Sequence, residues 1–216
     1  MPHPNIPKIF TSLTRHPWTL LRILKSANPH DIQGPLHGTA SFTSLPPSTT
    51  STTSSPPKAE SLNQTLYTET GTLPTTLGQN LQWKKSYIWR LSPTSNALSV
   101  WFVKVAEPDV ADYLFHGMEF LDSSGRVHKG EDGVEGGEEE GEGDEEGYVS
   151  APVPPEVSGE TVVVTASGNH LCINDMYRTA YAFRIREEDG EVVSWASRHV
   201  VRGPKKDQDI VNYYSV

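Results

Sequence analysis

The chain has little cysteine, no long apolar run and no stretch of sustained helical periodicity. Cys172 is the only cysteine, so no intrachain disulfide can form. A single thiol fits a reducing compartment, and the cytoplasm is the expected location. No apolar run reaches the ~20 residues that a membrane-crossing helix needs, so membrane insertion is not expected. The first thirty residues contain no acid and four bases, Lys8, Arg15, Arg22 and Lys25. That composition leaves a mitochondrial presequence as the minor alternative, but the stretch from Trp18 onward reads better as the start of a domain. The Gly-x-x-x-x-Gly-Lys-Ser/Thr spacing of a phosphate loop is missing. Nowhere do histidines and cysteines recur at zinc-ligand spacing, so neither metal nor cofactor is expected.

What the chain does have is acid, concentrated in one place. The formal net charge is −9, and the segment Glu131 to Gly147 holds ten acids and no base. Without that segment the net charge is about +1. The folded part is therefore near neutral, with no phosphate-tracking surface of the kind nucleic-acid binders require. A solvated acidic loop is the plain reading; shielding of a barrel mouth or contact with a basic protein partner is the sharper one. The Ser/Thr/Pro-rich stretch 45–61 and the acid-bearing stretch 122–158 have little to bury and are expected to be disordered insertions. About 160 residues remain, the size of one domain. The expected organisation is a flexible arm over 1–14 and one domain over 15–216, interrupted by both insertions.

The rest reads as short strands. Leu81 to Leu91 alternates strictly, with Trp83, Lys85, Tyr87 and Trp89 on one face and Lys84, Ser86, Ile88 and Arg90 on the other. Other strands are read at Gly34 to Ser44, Leu62 to Gly71, Ala97 to Val105, Tyr113 to Leu121, Glu160 to Ser167, His170 to Arg186, Glu191 to Arg202 and Asp209 to Ser215. Leu13 to Ser26 fits a short helical turn leading into a strand. Ser92 to Asn96, Glu107 to Asp109, Gly168-Asn169 and Glu188 to Gly190 supply turn chemistry between them. Nine or ten strands joined by short turns suggest an all-β, up-and-down antiparallel meander, and closing it into a barrel removes its exposed edges.

Several spaced fragments carry a resemblance. Trp18-Thr19-Leu20-Leu21-Arg22-Ile23, Gly38-Thr39-Ala40-Ser41-Phe42, Tyr67-Thr68-Glu69-Thr70-Gly71 and Lys85-Ser86-Tyr87-Ile88-Trp89 occur in order. Later come His170 to Tyr177 and Val201 to Asp207, the latter containing Gly203-Pro204-Lys205-Lys206-Asp207. Together, from Trp18 to the C-terminus, they resemble domain-of-unknown-function family 6314, a calycin-like, lipocalin-related group found in bacteria and fungi. Lys85 stands where that family usually has arginine, and Gln208 where it usually has an aromatic. Lysine cannot make the bidentate carboxylate contact that arginine can. The resemblance implies a calycin-type barrel and no established chemistry.

Four constellations are candidates for a site. Glu69, Lys85 and Tyr87 lie on adjacent strands among aromatics, where charge is costly unless paired. They are read as orienting a ligand's polar group inside the barrel; an internal ion pair or a solvent-exposed face is the plainer alternative. Asp175 and Tyr177 share a face of one strand, where a carboxylate beside a phenol acts as base and acid. The plainer alternative is packing by Tyr177 and a backbone bond by Asp175. His116 falls on a face with Leu114, Met118 and Phe120. Haem-binding barrels of calycin type use such a histidine, but a lone histidine among apolar residues is more often a hydrogen-bonded core residue. Lys205 and Lys206 could meet a ligand carboxylate or phosphate, or simply close the last turn. Trp89, Trp101, Trp195 and Tyr177 are the aromatics expected to contact a ligand, with Glu69, Lys85, Asp175 and Arg198 as polar partners. Three functions compete: a module binding an apolar or amphipathic small molecule, an isomerase or cyclase using Asp175 with Tyr177, and an interaction protein with a filled barrel. A cavity below ~300 Å³ favours the last.

Overall fold

A computed structural model describes residues 4–46, 63–121, 149–204 and 206–216. Ten antiparallel strands close into one up-and-down barrel. They are β1 (Trp18–Ser26), β2 (Gly34–Ser44), β3 (Asn63–Thr72), β4 (Gln82–Leu91), β5 (Leu98–Val103), β6 (Ala111–Phe120), β7 (Thr161–Cys172), β8 (Asp175–Arg186), β9 (Val192–Arg202) and β10 (Asp207–Ser215). Each strand pairs with its sequence neighbours, and β1 pairs with β10 to complete the ring. The expected all-β barrel is what the chain forms, and its ring is complete, with β6 and β7 joined over the shortest length.

The arm over 1–14 departs from expectation. Ile6–Leu13 is a helix, α1. Asn5 caps it, its side chain accepting from the Lys8 amide at 3.0 Å, and a proline in the first turn lacks only an N–H that would go unused there. Ile6, Ile9, Phe10 and Leu13 follow the i, i+3, i+4, i+7 stripe. Ile9 and Leu13 are each 1% exposed. The helix plugs one end of the barrel: the Trp18 indole donates to the Leu13 carbonyl at 3.1 Å, and the Val192 amide donates to the Ser12 hydroxyl at 2.7 Å. Above it lies the aromatic core of Trp18, Phe42, Phe183 and Trp195.

Gly168-Asn169 is not a turn either. β7 runs straight through it, and the hairpin turns at Ile173-Asn174, between the paired Cys172 and Asp175. Gly168 sits in a strand because a side chain there would overlap the Gly117 carbonyl and the His116 ring; glycine permits this close approach. β6 and β7 pair only at Glu119↔Ser167 and Phe120↔Ala166. Beyond those pairs Phe115 lies beside His170, ring centroids 5.5 Å apart. Irregular pairing between β5 and β6 turns both Phe115 and His116 inward. Leu114, expected on the His116 face, is instead 44% exposed.

Because strands alternate in direction, the connections sort into two groups. Those at 27–33, 73–81, 104–110, 173–174 and 203–206 lie at one end, the mouth. Those after β2 and β6 leave from the end that α1 plugs. Stretch 45–61 lies almost wholly outside the described residues, as does the acidic run. The last part of the 122–158 insertion is described, and it is tied to the barrel. Arg184 donates to the Pro154 and Pro155 carbonyls at 3.2 and 3.0 Å, and the Ser194 hydroxyl donates to the Pro155 carbonyl at 2.5 Å.

Candidate functional site: an aromatic cavity at the barrel mouth

Strand alternation accounts for the site. In β1 to β4 every second residue points inward. The inward rows are Trp18, Leu20, Arg22; Gly38, Ala40, Phe42; Tyr67, Glu69, Gly71; and Lys85, Tyr87, Trp89. These are the very positions that the spaced motifs share. Gly38 and Gly71 face each other in register, and a side chain on Gly71 would strike the Trp83 ring. Trp83 in turn lies under the Arg22 guanidinium, 4.7 Å from the ring centroid.

Above the aromatic core the barrel holds a cavity of about 230 Å³. Its walls are Tyr87, Trp89, Phe102, Phe115, Tyr177, Tyr181 and Trp195, with Val100, Val201 and Ile210 between them. Polar groups enter from one side. Arg22 is 5% exposed and Glu69 2%. Arg22 Nη2 meets Glu69 Oε1 at 2.6 Å, and Arg22 Nε donates to Asn212 Oδ1 at 2.7 Å. The Tyr67 hydroxyl donates to Glu69 Oε2 at 2.8 Å and lies 2.8 Å from the Tyr214 hydroxyl. Tyr67 has one proton, so Tyr214 is the donor between those two. Asn212 Nδ2 donates to Ser197 Oγ at 2.9 Å, and Ser197 Oγ is 3.2 Å from His199 Nε2. A continuous chain thus runs from Tyr67 to His199 across β3, β1, β10 and β9.

Burial sets the protonation of this network. The Tyr67 phenol is pushed well above its ordinary value, first by desolvation and then by the Glu69 carboxylate. Tyr181 and Tyr214 are raised by the same loss of water, and Tyr87 is raised to about 12. All four stay neutral donors at physiological pH. His199 is driven well below its usual range by desolvation, with His116 and Arg22 adding repulsion. His116 is lowered to about 4, again chiefly by burial.

Six of the expected site residues line the cavity: Glu69, Lys85, Tyr87, Trp89, Tyr177 and Trp195. Glu69 and Lys85 stand opposite each other in register, but the partner of Glu69 is Arg22. Lys85 has no hydrogen bond or ion pair among the described residues. It reaches the mouth with an exposed surface, and its ammonium is still lowered by desolvation and by Arg22. Lys206 donates to the Tyr177 hydroxyl at 2.7 Å. The Trp195 indole N–H is buried without a partner among the described residues.

The other four lie elsewhere. Trp101 is on the outer face, because its neighbours Val100 and Phe102 take the inner one. Its ring lies 4.5 Å from the Arg90 guanidinium and its N–H donates to Ser99. Arg198 alternates with the inward Ser197 and His199, and it holds Asp209 outside the cavity in a two-pronged contact at 2.9 and 2.7 Å. Asp175 sits against Gly203 at the mouth turn rather than in the cavity wall. His116 is buried next to the cavity but committed. Its Nδ1–H donates to the Gly117 carbonyl at 3.0 Å, which leaves Nε2 to accept from the Tyr181 hydroxyl at 3.1 Å. Neither ring nitrogen is open to a haem iron. Among the described residues no three histidine, cysteine or carboxylate side chains gather as metal ligands.

Sequence reading missed Arg22, Tyr67, Ser197, His199, Asn212 and Tyr214 as site residues. The signal was present in part, since Arg22 and Tyr67 occupy motif positions of the same i, i+2 period as Glu69 and Lys85. Nothing local marks Ser197, His199 and Asn212, which meet through the β9–β10 pairing and reach Arg22 through the closing pair of β1 with β10.

A family model described as "Family of unknown function (DUF6314)" matches residues 15–132 and 155–216. The chain belongs to this family. A search of curated proteins gives no match. The residues that DUF6314 shares with this chain therefore include all ten strands, and with them the whole cavity. No helix among the described residues is long and apolar enough to cross a membrane.

Proposed function

We propose that the barrel is a calycin-like small-molecule-binding protein whose ligand sits inside, in the aromatic cavity. The supporting observation is the shape of the interior: one end is plugged by α1 and packed side chains, while the other opens through the mouth. A protein with no use for the space would gain by filling it, since voids forfeit packing contacts. At about 230 Å³ the cavity is smaller than the ~300 Å³ at which drug-sized pockets begin, so size alone favours the interaction protein with a filled barrel, and only a small ligand is compatible with the binding reading. The cavity has room for about eight waters at their liquid share of roughly 30 Å³ each, so the ligand is of single-ring size with a short tail. Of the exposed large apolar residues described, Ile32, Leu77, Leu81, Val105, Val110, Tyr113, Leu114, Leu171 and Ile173 lie at the mouth end. Such a rim suits entry of an apolar or amphipathic molecule. The single thiol, Cys172, keeps the cytoplasm as the preferred compartment.

Native mass spectrometry tests this reading. The purified protein is expected to carry a small bound mass, or to take up an aromatic probe, and Val100→Trp is expected to remove either by filling the cavity from its wall. A folded barrel that carries nothing and takes up nothing returns the cavity to the filled-barrel reading. The Asp175–Tyr177 isomerase or cyclase gains no support here, because Asp175 is not part of the cavity wall and the Tyr177 hydroxyl is engaged by Lys206.

A further inference from the structure

The charges around the cavity do not balance. Arg22, Lys85 and Lys206 face it with Glu69 as the only carboxylate, and His199 is neutral. Glu69 is consumed twice over, by Arg22 and by Tyr67. The excess of two positive charges therefore belongs to Lys85 and Lys206. Lys206 uses one of its three protons on Tyr177, and Lys85 uses none on any described residue. The Lys85 ammonium, set beside aromatic side chains and partly desolvated, has no counter-charge of its own, and the occupant that suits it is one that brings an anion; Lys206 is more open and has the Asp175 carboxylate nearby.

We propose that the cavity takes a small organic acid, its apolar ring lodged among Tyr87, Phe102 and Phe115 and its carboxylate held at the mouth by Lys85 and Lys206. This rests on the reading of the barrel as a small-molecule binder and adds the chemical class. The orientation follows from the architecture. Apolar walls and the committed Arg22–Glu69 pair occupy the depth, and the unpaired Lys85 ammonium and the remaining protons of Lys206 stand at the opening. The acid enters ring first, and its head remains partly hydrated, which suits strongly hydrated lysine better than a desolvated ion pair would.

Isothermal titration with matched probes decides it. Phenylacetate, trans-cinnamate and indole-3-acetate are compared with their uncharged amides, on the wild-type protein and on Lys85→Met and Lys206→Met. At least one acid is expected to bind roughly ten- to hundred-fold more tightly than its own amide, the range of a charge-assisted hydrogen bond. Lys85→Met is expected to bring the acid down toward the amide's affinity, to change the amide far less, and not to lower the melting temperature, since it removes an unpaired charge and no described bond. Acids and amides binding alike, or acid affinity untouched in both lysine variants, would overturn the anion site while leaving the small-molecule barrel standing. Failure of every acid and every amide to bind the folded protein at concentrations up to about 10 mM, a free energy near −3 kcal/mol, would overturn both.

Discussion

Arg22→Met puts the central ion pair to a quantitative test. Arg22 and Glu69 are 5% and 2% exposed and meet at 2.6 Å. Methionine fills the stem of the arginine but leaves the Glu69 carboxylate buried with only the Tyr67 hydroxyl. Removing one partner of such a pair costs about 3–5 kcal/mol, mostly because the remaining charge is stranded. Loss of the 2.7 Å bond to Asn212 adds about 1 kcal/mol, and the apolar methionine offsets a similar amount. The expected net loss is about 4 kcal/mol, a fall in melting temperature of roughly 8–16 °C for a chain of this length. Urea unfolding followed by tryptophan fluorescence reads it directly, and the midpoint should fall with the slope unchanged. Arg22→Met with Glu69→Gln removes the stranded charge and should recover about half the loss. Arg198→Met is the control. Its pair with Asp209 has nearly the same length, 2.7 Å, but the two side chains are 35% and 21% exposed, so its loss should not exceed about 1 kcal/mol. If Arg22→Met costs no more than Arg198→Met, or if adding Glu69→Gln makes it worse, burial is not what gives the central pair its weight.

Two further outcomes follow from the same physics. His116 is lowered to about 4 by burial, so the unfolded chain, with its histidines near 6.5, takes up protons that the folded one refuses. Stability is then fully present above about pH 6.5 and is lost as pH falls toward 4. His116 alone accounts for about 2 kcal/mol between pH 7 and 5, and His199 acts in the same direction. A urea midpoint that stays flat over that window would show the histidines to be solvated. Ile173 holds a φ of 58° at the β7–β8 turn and is 89% exposed, a conformation that β-branched residues resist. Ile173→Gly is expected to stabilise the barrel by about 1 kcal/mol in thermal unfolding; a loss would mean that the isoleucine side chain makes a contact that outweighs its strain.

Much of the barrel was legible in the residues themselves. Period-two alternation, as in Gln82 to Leu91, depends only on successive side chains pointing to opposite faces, and turn residues mark where a strand must end. The reading of Glu69 and Lys85 as interior used the same alternation, but Arg22, on the first strand, was missed. Alternation failed where a residue's role depends on a distant neighbour. Gly168 reads as a turn until His116 and the Gly117 carbonyl are placed against it. Trp101 and Arg198 look like ligand contacts until the inward parity of β5 and β9 is known, because a one-residue shift in parity reverses every face. The helix at Ile6–Leu13 was hidden by the prolines around its start, of which only Pro7 lies within it, in the first turn, where proline does no harm.

By itself, the sequence determined the strand class, a near-neutral folded part, the location of the net negative charge in one insertion, and a family membership carried by motifs of period two. Those are local properties, set by composition and by backbone geometry over a few residues. Tertiary structure decided which charges pair. Glu69 lies in register with Lys85 yet binds Arg22, 47 positions away in sequence, because the barrel curves the two inward rows toward each other across the small residues of β2. It also decided that Asn212, Ser197 and His199 join that pair, and that the insertions leave from the plugged end. The unpaired Lys85 at the mouth, on which the organic-acid proposal rests, exists only because barrel curvature across β2 gave its expected partner to Arg22.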